Sequence, residues 1–186
     1  MNHLSDAARI AAIGAGYWGI NHVRNFSELG ALDVVCDSNQ PSLQQIGERF
    51  PTARIEGDYQ RVLQDDSIRG GVIATPAETH YSLARAAIEA GKDVLVEKPL
   101  TLDIADAEAL VRLADERKAI LMVGHSLEYH SAVIRLRELI ESGEVGELRY
   151  IYNTIGCHAF IGAGAVVTKD VQDYALILAG GCVSAG

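Results

Sequence analysis

Apolar residues fall along the chain in short runs of β type, separated by stretches in which they recur every three or four positions. Arg9 to Ile13, Leu32 to Cys36, Gly71 to Ala74, Asp93 to Val96 and Ala119 to Val123 have the length and content of strands. Leu83, Ala84, Ala87 and Ile88 form a stripe that stops at Gly91, a residue suited to the position just past a helix, and predict a helix from about Ala77 to Ala90. Ile104, Ala107, Leu110, Val111 and Ala114 recur at helical spacing behind Asp103, whose carboxylate is able to cap the first-turn amides. A further helix is expected over Ala132 to Glu141, and the turn from Ser142 to Gly146 introduces a strand from Glu147 to Asn153. Strands alternating with helices specify an α/β class, a doubly wound parallel sheet of Rossmann type. From Ile155 the composition shifts to glycine and small residues, so a boundary is expected near Thr154, with a first domain over 1–153 and a tail over 154–186.

A length of 186 residues and 48% hydrophobic content suit one domain with a buried core plus a small appendage, and exclude a disordered chain. The net charge of -9 has the wrong sign for a nonspecific nucleic-acid binder. Cys36, Cys157 and Cys182 are far apart and form no cluster with histidine at metal-ligand spacing, so free thiols and no metal are expected. The apolar run Ile10 to Ile13 is cut by Gly14 and Gly16, with no basic leader before it. It is too short for a signal or a membrane span, and a cytoplasmic protein is expected.

Gly14-Ala15-Gly16-Tyr17-Trp18-Gly19 is a GxGxxG that follows the first strand and opens the first helix. In that context Gly14 permits the tight turn, Gly16 lets a pyrophosphate approach the backbone, and Gly19 lets helix pack closely on strand. Asp37 ends the second strand 18 residues after Gly19, where a carboxylate accepts hydrogen bonds from an adenosine ribose. Read alone, the glycines also suit a turn without a ligand, and Asp37 a turn residue. Ser38, Asn39 and Gln40 bring no cation to neutralise a 2′-phosphate, which favours NAD over NADP.

Glu97-Lys98-Pro99 ends the strand Asp93 to Val96 and so sits on the carboxyl edge of the sheet, where open α/β folds bind ligands. Pro99 restricts Lys98 to extended geometry, and an X-Pro bond tolerates cis. A solvated Glu-Lys pair is the other reading of these residues. Their surroundings, Gly71 to Pro76, Thr79-His80 and Ala90 to Pro99, resemble the Gfo/Idh/MocA oxidoreductase family, over about Arg9 to Tyr152. That resemblance implies hydride exchange between bound NAD(P) and a carbon of a sugar or polyol. It implies that Lys98 lies beside cofactor and substrate, assisting proton transfer at the reacting hydroxyl or orienting it. It also implies that Thr75, Pro76 and His80 line the cofactor cleft, His80 towards the ribose and nicotinamide; a lone helical histidine otherwise tends to the surface. Tyr17, Trp18 and Glu97 join the cofactor-binding set through the same motifs.

Val123-Gly124-His125, Glu128 to Val133 and Ser142 to Tyr152 resemble the subgroup that oxidises carbon 3 of UDP-N-acetylhexosamines or their uronic acids, with Ser131 in place of the usual proline. A small-molecule sugar nucleotide is therefore the expected partner, without nucleic acid or membrane, and an exposed Rossmann edge could drive homo-oligomerisation. After Tyr152 the family continues into a large α/β domain that supplies the substrate pocket, and that pattern is missing here. Instead Ile155, Ile161 and Val167 recur every sixth position, as in hexapeptide repeats, and Ala159 to Leu178 resembles the last coil of left-handed β-helix acyltransferases. One coil cannot bury its own core, and nothing suggests that His158 acts as an acyltransferase base. The order of segments suggests a dehydrogenase front joined to an acyltransferase tail. Three readings follow: an NAD-dependent sugar-nucleotide dehydrogenase, a nucleotide-binding fragment without turnover, and, least supported by repeat number, an acetyl-CoA-dependent acyltransferase.

Overall fold

The computed structural model describes residues 8–147, 160–161 and 176–177. The chain divides into two compact units, Met1–Gly124 and His125–Gly186. In the first unit β1 (Ile10–Ile13), β2 (Leu32–Cys36), β3 (Arg54–Glu56), β4 (Gly70–Ile73), β5 (Asp93–Val96) and β6 (Leu121–Val123) form one sheet in the order β3-β2-β1-β4-β5-β6. Every adjacent pair is parallel. Helices α1 (Gly19–Glu28), α2 (Gln40–Arg49), α3 (Tyr59–Gln64), α4 (His80–Glu89) and α5 (Ile104–Arg117) make the crossovers. This is the doubly wound α/β class expected from the alternating pattern.

Both sheet faces are covered, so alternate residues of one strand enter different cores. Ala11, Ile13, Val34, Ile73, Val94 and Val96 pack with Ala84, Ile88, Leu110 and Ala114 of α4 and α5. Ala12, Val35 and Val72 face Val23 of α1 and Leu43 and Ile46 of α2. The predicted caps take the geometry expected of them: the Asp103 carboxylate accepts from Ala105 N at 2.8 Å, and Gly91 ends α4 with φ 75°. The helix expected over Ala77 to Ala90 begins with a 3-10 turn, Ala77–Thr79, before α4.

Three elements carry no comparable signal in the sequence. β3 contributes one apolar residue, Ile55, which is 38% exposed on the sheet edge. α2 buries only Leu43 and Ile46, and α3 only Val62; each is started by a short polar side chain, Asn39 accepting from Ser42 N and Asp58 from Gln60 N. Lys92 is buried, its Nζ donating to Asp65 O at 2.9 Å and Ile68 O at 3.0 Å, which fastens the loop between α3 and β4. The amino edge of the sheet is laced by ion pairs: Asp33 receives Arg9 and Arg54, and Arg69 meets Asp93 at 3.0 Å. Exposed pairs of this kind contribute little each. Their placement leaves the opposite, carboxyl edge for ligands.

In the second unit a 3-10 turn, Ser126–Tyr129, leads to α6 (Ser131–Glu141). The serine at the head of α6 is preceded by His130, whose Nδ1 accepts from Ala132 N at 3.2 Å. The expected turn is present, with Gly143 and Gly146 both at positive φ. β7 (Phe160–Ile161) and β8 (Leu176–Ile177) pair in parallel. The strand expected over Glu147 to Asn153, the boundary near Thr154 and most of the hexapeptide-like tail lie outside the described residues.

Leu110 is fully buried while its neighbour Val111 is 49% exposed. Leu110→Ala is therefore expected to lower unfolding free energy by about 2–5 kcal/mol, against a change within about 0.5 kcal/mol for Val111→Ala, in paired urea denaturations.

Candidate functional site

The turn after β1 is shaped by what it lies against. Gly14 has φ 83°, and a Cβ there would sit 2.8 Å from the Ala74 carbonyl oxygen and the Thr75 methyl. At Gly19 a Cβ would come within 2.0 Å of Gly14 O, so α1 starts directly against the turn. Gly16 is the contrasting case, with nothing within 4 Å of its Cβ position. The turn is closed on β2 by Gly14 N donating to Cys36 O at 2.8 Å, and by Ala15 N donating to the Asp37 carboxylate at 2.7 Å. The other Asp37 oxygen accepts from Asn39 N at 2.9 Å.

Because β1 is flanked by β2 on one side and β4 on the other, the loops leaving β1 and β4 diverge and open a crevice. That cleft has a volume of about 660 Å³ and is lined by Gly14, Gly16, Cys36, Asp37, Ser38, Tyr59, Thr75, Pro76, Thr79 and Leu83, among others. Its polar groups are few and aimed. The Thr79 hydroxyl donates to Pro76 O at 2.7 Å, so the 2.7 Å contact between Thr75 and Thr79 is donated by Thr75. With its proton engaged there, Thr75 offers the cleft only lone pairs. Tyr59 donates to Leu83 O at 2.8 Å, and burial, then Cys36, raises its pKa. Burial, reinforced by Glu56, Asp37 and Asp58, pushes the Cys36 thiol up to about 12, so that it behaves as a small apolar wall rather than a nucleophile.

The remaining site residues stand on the same sheet edge without lining this cleft. Tyr17 and Trp18 project from the turn, 96% and 49% exposed. Lys98 is exposed at the end of β5, with a cis peptide to Pro99. His80, at 1% exposure, does not present its ring nitrogens to the cleft. Nδ1 lies 2.7 Å from Pro99 O and Nε2 2.9 Å from Thr75 O, so the ring ties the turn after β4 to the turn after β5.

Glu97 is the other buried polar group of this edge, at 7% exposure. One carboxylate oxygen accepts from Trp18 Nε1 at 2.7 Å and lies 2.7 Å from His22 Nε2. The second accepts from the Lys98 amide at 3.2 Å. Burial raises the Glu97 pKa, but the hydrogen bonds from His22, Trp18 and Lys98 N and the charge of His22 outweigh it and hold the carboxyl below its ordinary value. Trp18 and His22 are four residues apart and so share a face of α1. That spacing is the only local hint of their joint role, and nothing in the sequence says that they meet Glu97. Gly124, just past β6, completes the enclosure: a Cβ there would fall 2.9 Å from the Glu97 carboxylate.

Residues 8–125 match the family model described as "Oxidoreductase family, NAD-binding Rossmann fold", Gfo/Idh/MocA. Among characterised relatives, the chain is 33% identical over 148 residues to an inositol 2-dehydrogenase of Rhodococcus jostii, covering 77% of this chain and 40% of that protein. It is 31% identical over 130 residues to a UDP-N-acetylglucosamine 3-dehydrogenase of Acidithiobacillus ferrooxidans, covering 70% and 41%. Among solved structures, GenD2 from gentamicin A biosynthesis, in complex with NAD, superposes with TM-score 0.72 at 32% identity, covering 77% of this chain and 42% of that one. The chain thus spans about two fifths of the length of the relatives it matches.

Two outcomes test this geometry. Gly14→Ala is expected to destabilise the chain by more than about 1 kcal/mol, from the positive φ and the clash with Ala74, while Gly16→Ala leaves the melting temperature within about 2 °C. For Glu97 the folded pKa is depressed, so its stabilisation is complete above the titration range of the unfolded carboxyl and is lost as pH falls through the folded pKa. Thermal melts from pH 7 down to about pH 3 should show the wild type losing its advantage over Glu97→Gln across that acid limb.

Proposed function

The chain belongs to the Gfo/Idh/MocA oxidoreductase family, residues 8–125 forming its NAD-binding Rossmann domain, and from that premise we propose that it is an NAD-dependent dehydrogenase acting on a secondary hydroxyl of a cyclic sugar or polyol. The observation that carries the reading is the common placement of the Gly14–Gly19 turn, Asp37, the Thr75-Pro76 turn and Lys98 on the carboxyl edge of one parallel sheet. The residues suit the cofactor. Gly16 leaves open space where a pyrophosphate approaches the turn, and α1 directs the positive end of its dipole towards the same turn. Asp37 offers acceptors to ribose hydroxyls, and Thr75 a further acceptor, while Ser38, Asn39 and Gln40 hold no cation for a 2′-phosphate.

When bound, NAD supplies the acceptor for the hydride leaving the substrate carbon. Lys98 takes the role of holding the hydroxyl of that carbon and receiving or relaying its proton as the carbonyl forms. Glu97, turned inward to Trp18 and His22, acts on the lysine turn and not on substrate. Pro99 and Thr75 carbonyls, both engaged by His80, keep the two turns together.

The finer substrate we propose is carbon 3 of a UDP-N-acetylhexosamine or its uronate. It is supported by the motifs from Val123 to Tyr152 and by the similarity to UDP-N-acetylglucosamine 3-dehydrogenase; similarity to inositol 2-dehydrogenase favours a polyol instead. A second reading is a nucleotide-binding chain without turnover of its own, for which the cleft lined from Gly14 to Leu83 is sufficient. The hexapeptide-like tail fits a join to an acyltransferase end; the parallel pairing of β7 with β8 is the kind made by successive coils of a β-helix.

Calorimetric titration decides the first point. NAD is expected to bind more tightly than NADP, and Asp37→Ala to weaken NAD by roughly 10–100-fold, the worth of hydrogen bonds to a charged group. Turnover assays with UDP-N-acetylglucosamine, its uronate and myo-inositol then separate the substrate readings. Binding with no reduction of NAD by any of them favours the nucleotide-binding reading, and no NAD binding by a folded chain overturns the cofactor assignment.

A further inference from the structure

The Glu97 carboxylate sits between two segments far apart in the sequence. It accepts from Trp18 Nε1 within the phosphate turn and from the Lys98 amide at the end of β5, and it faces His22 one helical turn beyond Trp18. It is 7% exposed, and Gly124 past β6 makes room for it, since a Cβ there would fall 2.9 Å from the carboxylate. A carboxylate held by several donors in a partly dry site has one well-defined position, and whatever displaces one partner is felt by the others.

We infer that Trp18 and His22 are positioning residues for Lys98, acting through Glu97, so that the turn that takes the dinucleotide and the turn that carries the lysine are coupled as one unit. The inference rests on the dehydrogenase reading and deepens it. Binding at the phosphate turn orders Trp18; Trp18 and His22 hold Glu97; Glu97 holds the Lys98 backbone. Occupancy of the phosphate turn is thereby transmitted to the turn that carries the lysine. The same contacts account for an exposed aromatic in a glycine turn: the indole ring faces solvent while its N–H is committed inward.

The test uses the whole chain, saturating NAD and acetic anhydride, with each lysine followed by peptide mass spectrometry. Three lysines report separately. Lys92, buried on two carbonyls, reports folding; Lys118, exposed at the end of α5, reports reagent access; Lys98 reports the coupling. In the wild type NAD is expected to slow acetylation of Lys98 by about fivefold or more while Lys118 is unchanged, since coupling between sites is commonly of that size. Trp18→Phe keeps the ring and removes its donor, and Glu97→Gln keeps the shape and removes the charge. In both, at saturating NAD, protection of Lys98 should fall below about twofold with Lys92 still unreactive, the signature of lost coupling in an intact fold. Undiminished protection in both variants would overturn the positioning role while leaving the dehydrogenase reading intact. NAD binding without protection in the wild type would overturn it as well, and a wild type that binds no NAD would remove the reading and the coupling together.

Discussion

The close approach of the β1 turn to the end of β4 is the constraint on which the ligand edge depends. Gly14 lies against the Ala74 carbonyl with no space for a side chain, and Gly19 lies against Gly14 in the same way. Because both positions lack a Cβ, α1 begins directly against the turn, and Gly14, Gly16, Thr75 and Pro76 line one cleft. A turn displaced by the width of a methyl group would separate these groups and part the loops of β1 and β4. The strands themselves need less: near-continuous apolar runs buried on both faces place β1 and β4 side by side whatever the loops do.

On that base the loops are joined by a small set of polar side chains, three of them buried and Asp37 half-buried, rather than by further hydrophobic packing. Asp37 ties the β1 turn to β2, His80 ties the β4 turn to the β5 turn, Glu97 ties the β5 turn to α1, and Lys92 ties the α3 loop to the sheet. Each has its hydrogen-bonding groups engaged, and among the described residues no buried side-chain nitrogen or oxygen is left without a partner. Such networks impose direction, which apolar contacts do not, and this is what an edge that must hold a dinucleotide and a lysine in register requires.

The division of labour along this edge also sorts the residues of the characteristic motifs. Gly16, Asp37 and Thr75 face the cleft and offer it open space or lone pairs. Glu97 and His80 face inward and act on backbone. Lys98 stands between these groups, its side chain exposed and its amide held by Glu97. A family whose members bear names as different as inositol and UDP-N-acetylglucosamine dehydrogenase can keep such an edge while changing what lies over it.

The strands β1, β2, β4, β5 and β6, the helices α4 and α5 with the Asp103 cap and the Gly91 stop, and the glycine turn were legible in the sequence, because each depends on residues a few positions apart. The elements β3, α2 and α3 were not, since β3 buries no apolar residue, α2 buries two and α3 one, and all three owe their existence to the strands and helices they lean on. The chemistry divides in the same way. That Asp37 and Lys98 end strands is local information. That the Glu97 carboxylate faces Trp18 and His22, 79 and 75 residues earlier, and that His80 spans two carbonyls rather than facing a ligand, was decided by tertiary structure alone. Long-range hydrogen bonds between single side chains leave no periodic pattern in the sequence, and only the folded sheet brings their partners within bonding distance.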